Sequence, residues 1–267
     1  MDSARILRRA GVRLAFALAV TAVFAFATPA GAITYGDVDS GHTYVGAMIV
    51  DYPGYGTTEW CTGTLVSSRV FLTAGHCTFD LADIGITVDE VWVSFAVDVY
   101  AKGAKWYTVS SVITHPDFYW GPTSDPHDVA ALVLSKPVKG VGLGRIAPLG
   151  YLDALDDAGV LADATFINVG YGVDQDFRGD GVRRISYSSF LSLHKAWLYM
   201  SQNVHSGSAG TCFGDSGGPT LYDDRGTEYV VAIVSWGDAM CVATNINYRM
   251  DIPASQSFIY AVIAAYG

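Results

Sequence analysis

The chain has 267 residues, is 51% hydrophobic and 16% charged, and carries a formal net charge of −10. That length fits one large domain or two of roughly 100–150 residues each. The apolar, aromatic-rich composition excludes disorder, coiled coil and collagen-like repeats, and the acidic balance argues against a nucleic-acid surface, which needs clustered Lys and Arg.

Residues 1–32 read as a cleaved export signal. Arg5, Arg8, Arg9 and Arg13 form a basic head, Leu14 to Ala27 is apolar except for Thr21, and Ala30-Gly31-Ala32 matches an A-x-A site. The run is short for a membrane anchor, and the residues after Arg8-Arg9 match a twin-arginine signal poorly. A secreted, extracellular protein is expected, with no membrane span after cleavage. Cleavage removes four of the 16 Lys+Arg and one of the 26 Asp+Glu, leaving a mature charge of −13.

From Ile33 onward, short apolar or alternating runs are punctuated by glycine, proline and aspartate. Strands are predicted at 44–50, 61–66, 70–73, 88–97, 106–114 and 129–134, then at 163–169, 183–192, 220–222, 228–235 and 244–249. Many short strands with close turn signals point to an all-β sandwich or barrel. Residues 139–159 hold a proline, five glycines and the acids Asp153, Asp156 and Asp157. They read as a linker between two β-rich halves, 33–140 and 141–267, with the acids in a solvated loop rather than a calcium site. Phe258, Ile259, Val262 and Ile263 share a helical face and predict a C-terminal helix.

The four cysteines, Cys61, Cys77, Cys212 and Cys241, suggest disulfides in an exported chain, with three pairings open. No pair has C-x₂₋₄-C spacing and only His76 abuts a cysteine, so no metal site is expected.

Chemistry concentrates at Gly214-Asp215-Ser216-Gly217-Gly218-Pro219. Serine is a poor nucleophile until a base takes its proton, and the flanking glycines permit a tight turn that aims backbone N–H groups at one point. His76, directly after a strand-like run, is the candidate base. Asp128, at the head of the apolar run 129–134, is the candidate acid that would orient the imidazole.

The segments TAGHC (73–77), HDVAALVL (127–134) and GDSGGP (214–219), in that order, resemble the three catalytic motifs of trypsin/chymotrypsin-like serine proteases. Ile33-Thr34-Tyr35-Gly36, Thr114-His115-Pro116 and Ser235-Trp236-Gly237 resemble further elements of that family. The resemblance implies two six-stranded antiparallel β-barrels, with His76 and Asp128 in the first and Ser216 in the second. It implies an oxyanion hole from the N–H groups of Gly214 and Ser216, and a substrate site using Gly210, Phe213, Ser235, Trp236, Gly237 and Ile246. It selects Cys61–Cys77 and Cys212–Cys241 as disulfides. It also implies that Asp215 pairs with the α-amino group of Ile33, which cleavage after Ala32 would free.

The position expected at the pocket base is Gly210, and no acid lies between Gly181 and Phe213, so a basic P1 residue (the residue before the cut bond) is not expected. A branched Ile246 in the wall would favour small or medium apolar residues, with Asp238 solvated at the rim. Protein or peptide substrates, a monomer and no cofactor are expected. A catalytically inactive, protease-like binding or adhesion protein is the alternative; the intact Ser, His and Asp argue against it. The order His, Asp, Ser rejects an α/β-hydrolase.

Overall fold

The computed structural model describes residues 33–121 and 123–267; the export signal read at 1–32 lies outside them. Six strands close the first barrel: β2 (Val45–Tyr52), β3 (Gly56–Leu65), β4 (Val70–Thr73), β5 (Val91–Ser94), β6 (Trp106–Thr114) and β7 (Ala130–Leu134). They run antiparallel in the order β2-β3-β4-β7-β6-β5. Every residue of β4 and of β7 is buried. Both strands support the C-terminal helix α2 (Pro253–Tyr266) in addition to lining the barrel. Two covered faces explain why Ala-Ala-Leu-Val-Leu lacks the apolar-polar alternation of a half-exposed strand.

The second barrel contains β8 (Thr165–Gly170), β9 (Arg184–Leu193), β10 (Trp197–Ser201), β11 (Pro219–Asp224), β12 (Thr227–Gly237) and β13 (Thr244–Arg249). The ring β8-β9-β10-β13-β12-β11 closes through β11 on β8, and the two-residue β1 (Asp37–Val38) adds to β9. This is the architecture implied by the sequence resemblance. The chain ends are crossed over the barrels: the N-terminal strand joins the second, and the C-terminal helix covers the first. No helix among the described residues is long and apolar enough to cross a membrane.

Three local departures from the sequence reading have physical causes. The strand predicted from 88 starts only at Val91, because Thr87 N–H and Oγ both bond Glu90 Oε2 at 2.8 Å and wind Val88–Glu90 into a 3-10 turn. β10 has no counterpart among the predicted strands; its alternation puts Leu198 and Met200 in the core over only five residues. The supposed linker contains a helix, α1 (Tyr151–Asp157), whose Leu152 is buried and whose Leu152 N–H donates to Asp251 Oδ2 at 2.7 Å. Asp153 is not a free solvated acid: both its oxygens accept from Arg249, at 3.1 and 2.7 Å.

One buried cation ties the barrels together. Arg183, just before β9, is 1% exposed. Its Nε donates to Asp39 Oδ2 at 2.9 Å, and its Nη1 donates to the carbonyls of Val45 and Phe95 and to the Tyr171 hydroxyl at 3.0–3.1 Å. A guanidinium can be held out of water only when its donors are met in this way.

Candidate active site

His76 sits in a 3-10 turn, Gly75–Cys77, one residue after β4. The Cys61–Cys77 disulfide ties that turn to β3. Asp128 precedes β7 and is 3% exposed. Its Oδ1 accepts the His76 backbone N–H at 2.9 Å, and its Oδ2 lies 2.9 Å from His76 Nδ1. A carboxylate there requires the proton on Nδ1, which leaves Nε2 as a free acceptor. The Ser235 hydroxyl also donates to Asp128 Oδ2. Burial pushes the Asp128 carboxyl up, but the charge and hydrogen bonds of His76 and the bond from Ser235 outweigh it, so the acid stays below its ordinary value.

Ser216 is carried on a turn between the Cys212 region and β11. Thr62 of β3 anchors that turn, its N–H donating to Ser216 C=O and its hydroxyl to Gly214 C=O, both at 2.9 Å. The turn's carbonyls are therefore held, while the N–H groups of Gly214 and Ser216 have no protein acceptor among the described residues. Glycine is needed at two positions. Gly214 has φ +95°, and at Gly217 (φ +78°) a Cβ would fall 2.2 Å from Thr73 Oγ1 and 2.5 Å from Ala74 N. The nucleophile turn thus lies directly on the segment leading to His76. Ser216 and His76 line the same cavity, with no hydrogen bond between their side chains among the described residues. Such bonds often tighten only when substrate arrives.

Asp215 is fully buried. Its Oδ1 accepts Gly172 N–H and its Oδ2 accepts Cys212 N–H, each at 2.8 Å. No cation lies within ion-pair distance of it among the described residues, and burial pushes its carboxyl up to about 7 despite those bonds. Ile33 is buried, and the next residue, Thr34, bridges to Gly210. With residue 32 attached, Ile33 has no free amine to offer.

Residues 42–259 match a family model described as trypsin. The chain belongs to the trypsin family. That family comprises serine-type endopeptidases, and similar proteins bear such names. The chain is 29% identical to a mouse (Mus musculus) tryptase, the match covering 72% of this chain and 77% of the tryptase. It is 27% identical to a trypsin of Saccharopolyspora erythraea over 67% of this chain and 76% of that one. A CLIP domain-containing serine protease B15 of Anopheles gambiae is 26% identical over 71% of this chain, and the match spans only 57% of that longer protein.

Against the trypsin-family expectations, the cavity of about 420 Å³ brings together His76, Ser216, Phe213, Ser235, Trp236 and Gly237. Cys212–Cys241 is formed and both its cysteines border the same space or its wall. Two expected pocket residues lie elsewhere. Gly210 is beneath Gln202, whose side chain occupies the space a Cβ on Gly210 would need. Ile246 is buried but does not line the cavity; its neighbour Asn245 does. The strand alternates faces, so one residue of register exchanges the two. Ile246 therefore does not shorten the pocket.

The sequence reading also missed Trp120, Gln202, Thr211 and Asn245. Trp120 is exposed, with its ring centroid 5.5 Å from that of His76; an aromatic run in a Gly/Pro loop, Phe118-Tyr119-Trp120, was the available signal. Asp238 is no solvated rim charge. It accepts the N–H groups of Met240, Val242, Ala243 and Thr244, which hold its carboxyl at about 2 against the opposing effect of burial. Two groups of potential metal donors occur among the described residues. In Cys61, His76 and Cys77 the sulfurs are already joined. In His115, Asp117 and His127, His115 Nδ1 accepts the Asp117 N–H at 3.1 Å.

Proposed function

We propose that this protein is an exported serine endopeptidase working as a monomer on protein or peptide substrates. Ser216 is the nucleophile, His76 the base and then the acid, and Asp128 the group that orients His76. What supports this above all is the 2.9 Å approach of Asp128 Oδ2 to His76 Nδ1, which favours the proton on that nitrogen and leaves Nε2 as an acceptor beside the cavity that Ser216 also lines.

His76 Nε2 takes the Ser216 hydroxyl proton as Oγ attacks the scissile carbonyl carbon. The carbonyl oxygen becomes an oxyanion and is met by the N–H groups of Gly214 and Ser216. The tetrahedral adduct collapses as His76 returns its proton to the leaving nitrogen, freeing an amine and leaving an acyl ester on Ser216. Water then repeats the sequence, giving up its proton to His76, and releases the acid. Asp128 stays ionised throughout and stabilises the transient imidazolium. Ser235 helps to hold that carboxylate, and Trp236 and Gly237 offer the edge of β12 to an extended substrate.

Activation follows from Asp215. A buried carboxylate without a cation is costly, and cleavage after Ala32 would supply one as the α-ammonium of Ile33. Residues 1–32 are the export signal; 33–140 and 141–267 carry the two halves of the site. The P1 residue is not basic, because the one carboxylate in the cavity lining, Asp238, is already occupied by backbone donors.

The test is labelling of the mature, secreted protein with a fluorophosphonate beside Ser216→Ala, with the N-terminus sequenced in the same sample. Labelling of a chain that begins at Ile33, lost in the variant, is expected. A chain that begins at Ile33 and stays unlabelled would be a binding protein.

A further inference from the structure

The floor of the cavity is built by a residue that no motif marks. Gln202 follows β10 and is 1% exposed. A Cβ on Gly210 would lie 2.0 Å from Gln202 Oε1 and 2.2 Å from its Cβ, so glycine at 210 makes room for this side chain. The Gln202 amide is already engaged. Its Oε1 accepts Thr211 N–H at 3.0 Å, and its Nε2 donates to Asp238 Oδ2 and Thr244 C=O, each at 3.3 Å. Asp238, the one carboxylate in the lining, takes that bond and four backbone N–H groups. Floor and rim are organised for each other and have little left for a ligand.

Asn245 is different. It lines the cavity, is 1% exposed, and its Nδ2 has no hydrogen-bond partner. Two residues along the same strand, Asn247 donates its Nδ2 to Thr220 Oγ1 while its Oδ1 also lacks a partner, but Asn247 does not line the cavity, so Asn245 is the unpartnered amide of β13 that a ligand can reach. Opposite Asn245 on β12 is Gly237, which has no side chain to cover it. A buried amide without partners is costly in the empty site, and that cost is recovered by a ligand able to bond it. An apolar P1 side chain would leave it unpaired. A carboxylate would enter a cavity whose lining has no Lys or Arg and already holds Asp238. A neutral amide both gives and accepts hydrogen bonds and adds no charge.

We propose that Asn245 is the specificity-determining residue of the P1 pocket, and that the protein cleaves after residues with a neutral amide side chain, glutamine or asparagine, above a floor set by Gln202. The proposal rests on the catalytic reading in the preceding subsection.

The experiment is P1 profiling of the mature protein on a peptide library, with cleavage rates divided by the number of fluorophosphonate-labelled sites. Glutamine and asparagine are expected to exceed leucine and methionine by at least about tenfold, the scale of one well-placed hydrogen bond. Per labelled site, Asn245→Leu should invert that order, and Asn245→Asp should introduce cleavage after lysine or arginine. A labelled wild-type protein that prefers leucine, phenylalanine or arginine overturns the assignment, as does an Asn245→Leu variant that keeps the amide preference. If neither variant folds, the wild-type profile decides alone. Absence of wild-type labelling would instead sink the catalytic reading, which separates the two failures.

Discussion

The apolar core in and around the first barrel includes Val45, Ala47, Met48, Leu65, Phe71, Leu72, Val93, Leu132 and Leu134. Part of the second barrel's interior is polar instead. Asn168 Nδ2 donates to Ser188 Oγ at 2.9 Å, Thr220 Oγ1 donates to Asn168 Oδ1 at 3.0 Å and itself accepts from Asn247. Apolar contacts are non-directional and give a rigid mass, on whose rim His76 and Asp128 are set by backbone position. Hydrogen bonds are directional, so the polar lattice fixes the side-chain faces of β8, β11 and β13. Those strands carry the turn that holds Ser216 and part of the cavity wall. The barrel that must present a shaped cavity is the one that spends buried polar groups on orientation.

The largest expected effect breaks the first barrel's contribution to chemistry. Asp128→Asn should lower kcat/KM by about 10⁴-fold while the protein stays folded, because the imidazole would hold its proton on the wrong nitrogen. Steady-state hydrolysis of a peptide substrate measures it, and a loss below tenfold would remove Asp128 from the mechanism.

Next comes a pH effect confined to the second barrel. In the uncleaved chain Asp215 titrates at about 7 against an ordinary 3.8, so the folded state holds an extra proton between those values. Stability should therefore fall as pH rises from about 4 to about 7, by on the order of 4 kcal/mol. Urea unfolding at pH 5 and pH 8 should show about 3 kcal/mol of that loss in the uncleaved protein, and Asp215→Asn should flatten it. An equally steep loss in Asp215→Asn would assign it to other groups.

Two smaller substitutions compare the interiors directly. Leu132→Ala leaves a cavity in the apolar barrel and should cost about 3 kcal/mol. Asn168→Ala leaves the Thr220 hydroxyl without its acceptor, while the Ser188 hydroxyl keeps its bond to Ala209 C=O, and should cost about 2 kcal/mol. A cost of about 1–2 kcal/mol is expected for Asn168→Leu combined with Thr220→Val, which removes the Asn168–Thr220 donor and acceptor together and leaves Asn247 Nδ2 without its acceptor. If the lattice orients the pocket, this double variant should still lose peptide hydrolysis more than it loses stability. Equal losses in both readouts would reduce the lattice to packing.

Most strands were legible because their signal is local. Val70–Thr73 and Ala130–Leu134 are continuous apolar runs, and the final helix showed its face at Phe258, Ile259 and Val262. Trp197–Ser201 was not, since five residues barely carry an alternation and its partners β9 and β13 supply the stabilisation. Tyr151–Asp157 was hidden by its glycine-rich setting and by acids whose meaning depends on Arg249 and Asp251, about a hundred residues away.

The amino-acid sequence by itself determined the all-β class, through alternation and turn chemistry, and its short motifs marked the residues of the candidate triad and carried the family resemblance that implied the two barrels. Only the tertiary structure decided what stands at the pocket floor. Gln202 reaches it from the end of one strand and Asn245 from another, and neither has a local signature. In a strand, moreover, a shift of one residue turns the opposite face to the cavity. That parity, set by how β13 pairs with β10 and β12, separates Asn245 from Ile246.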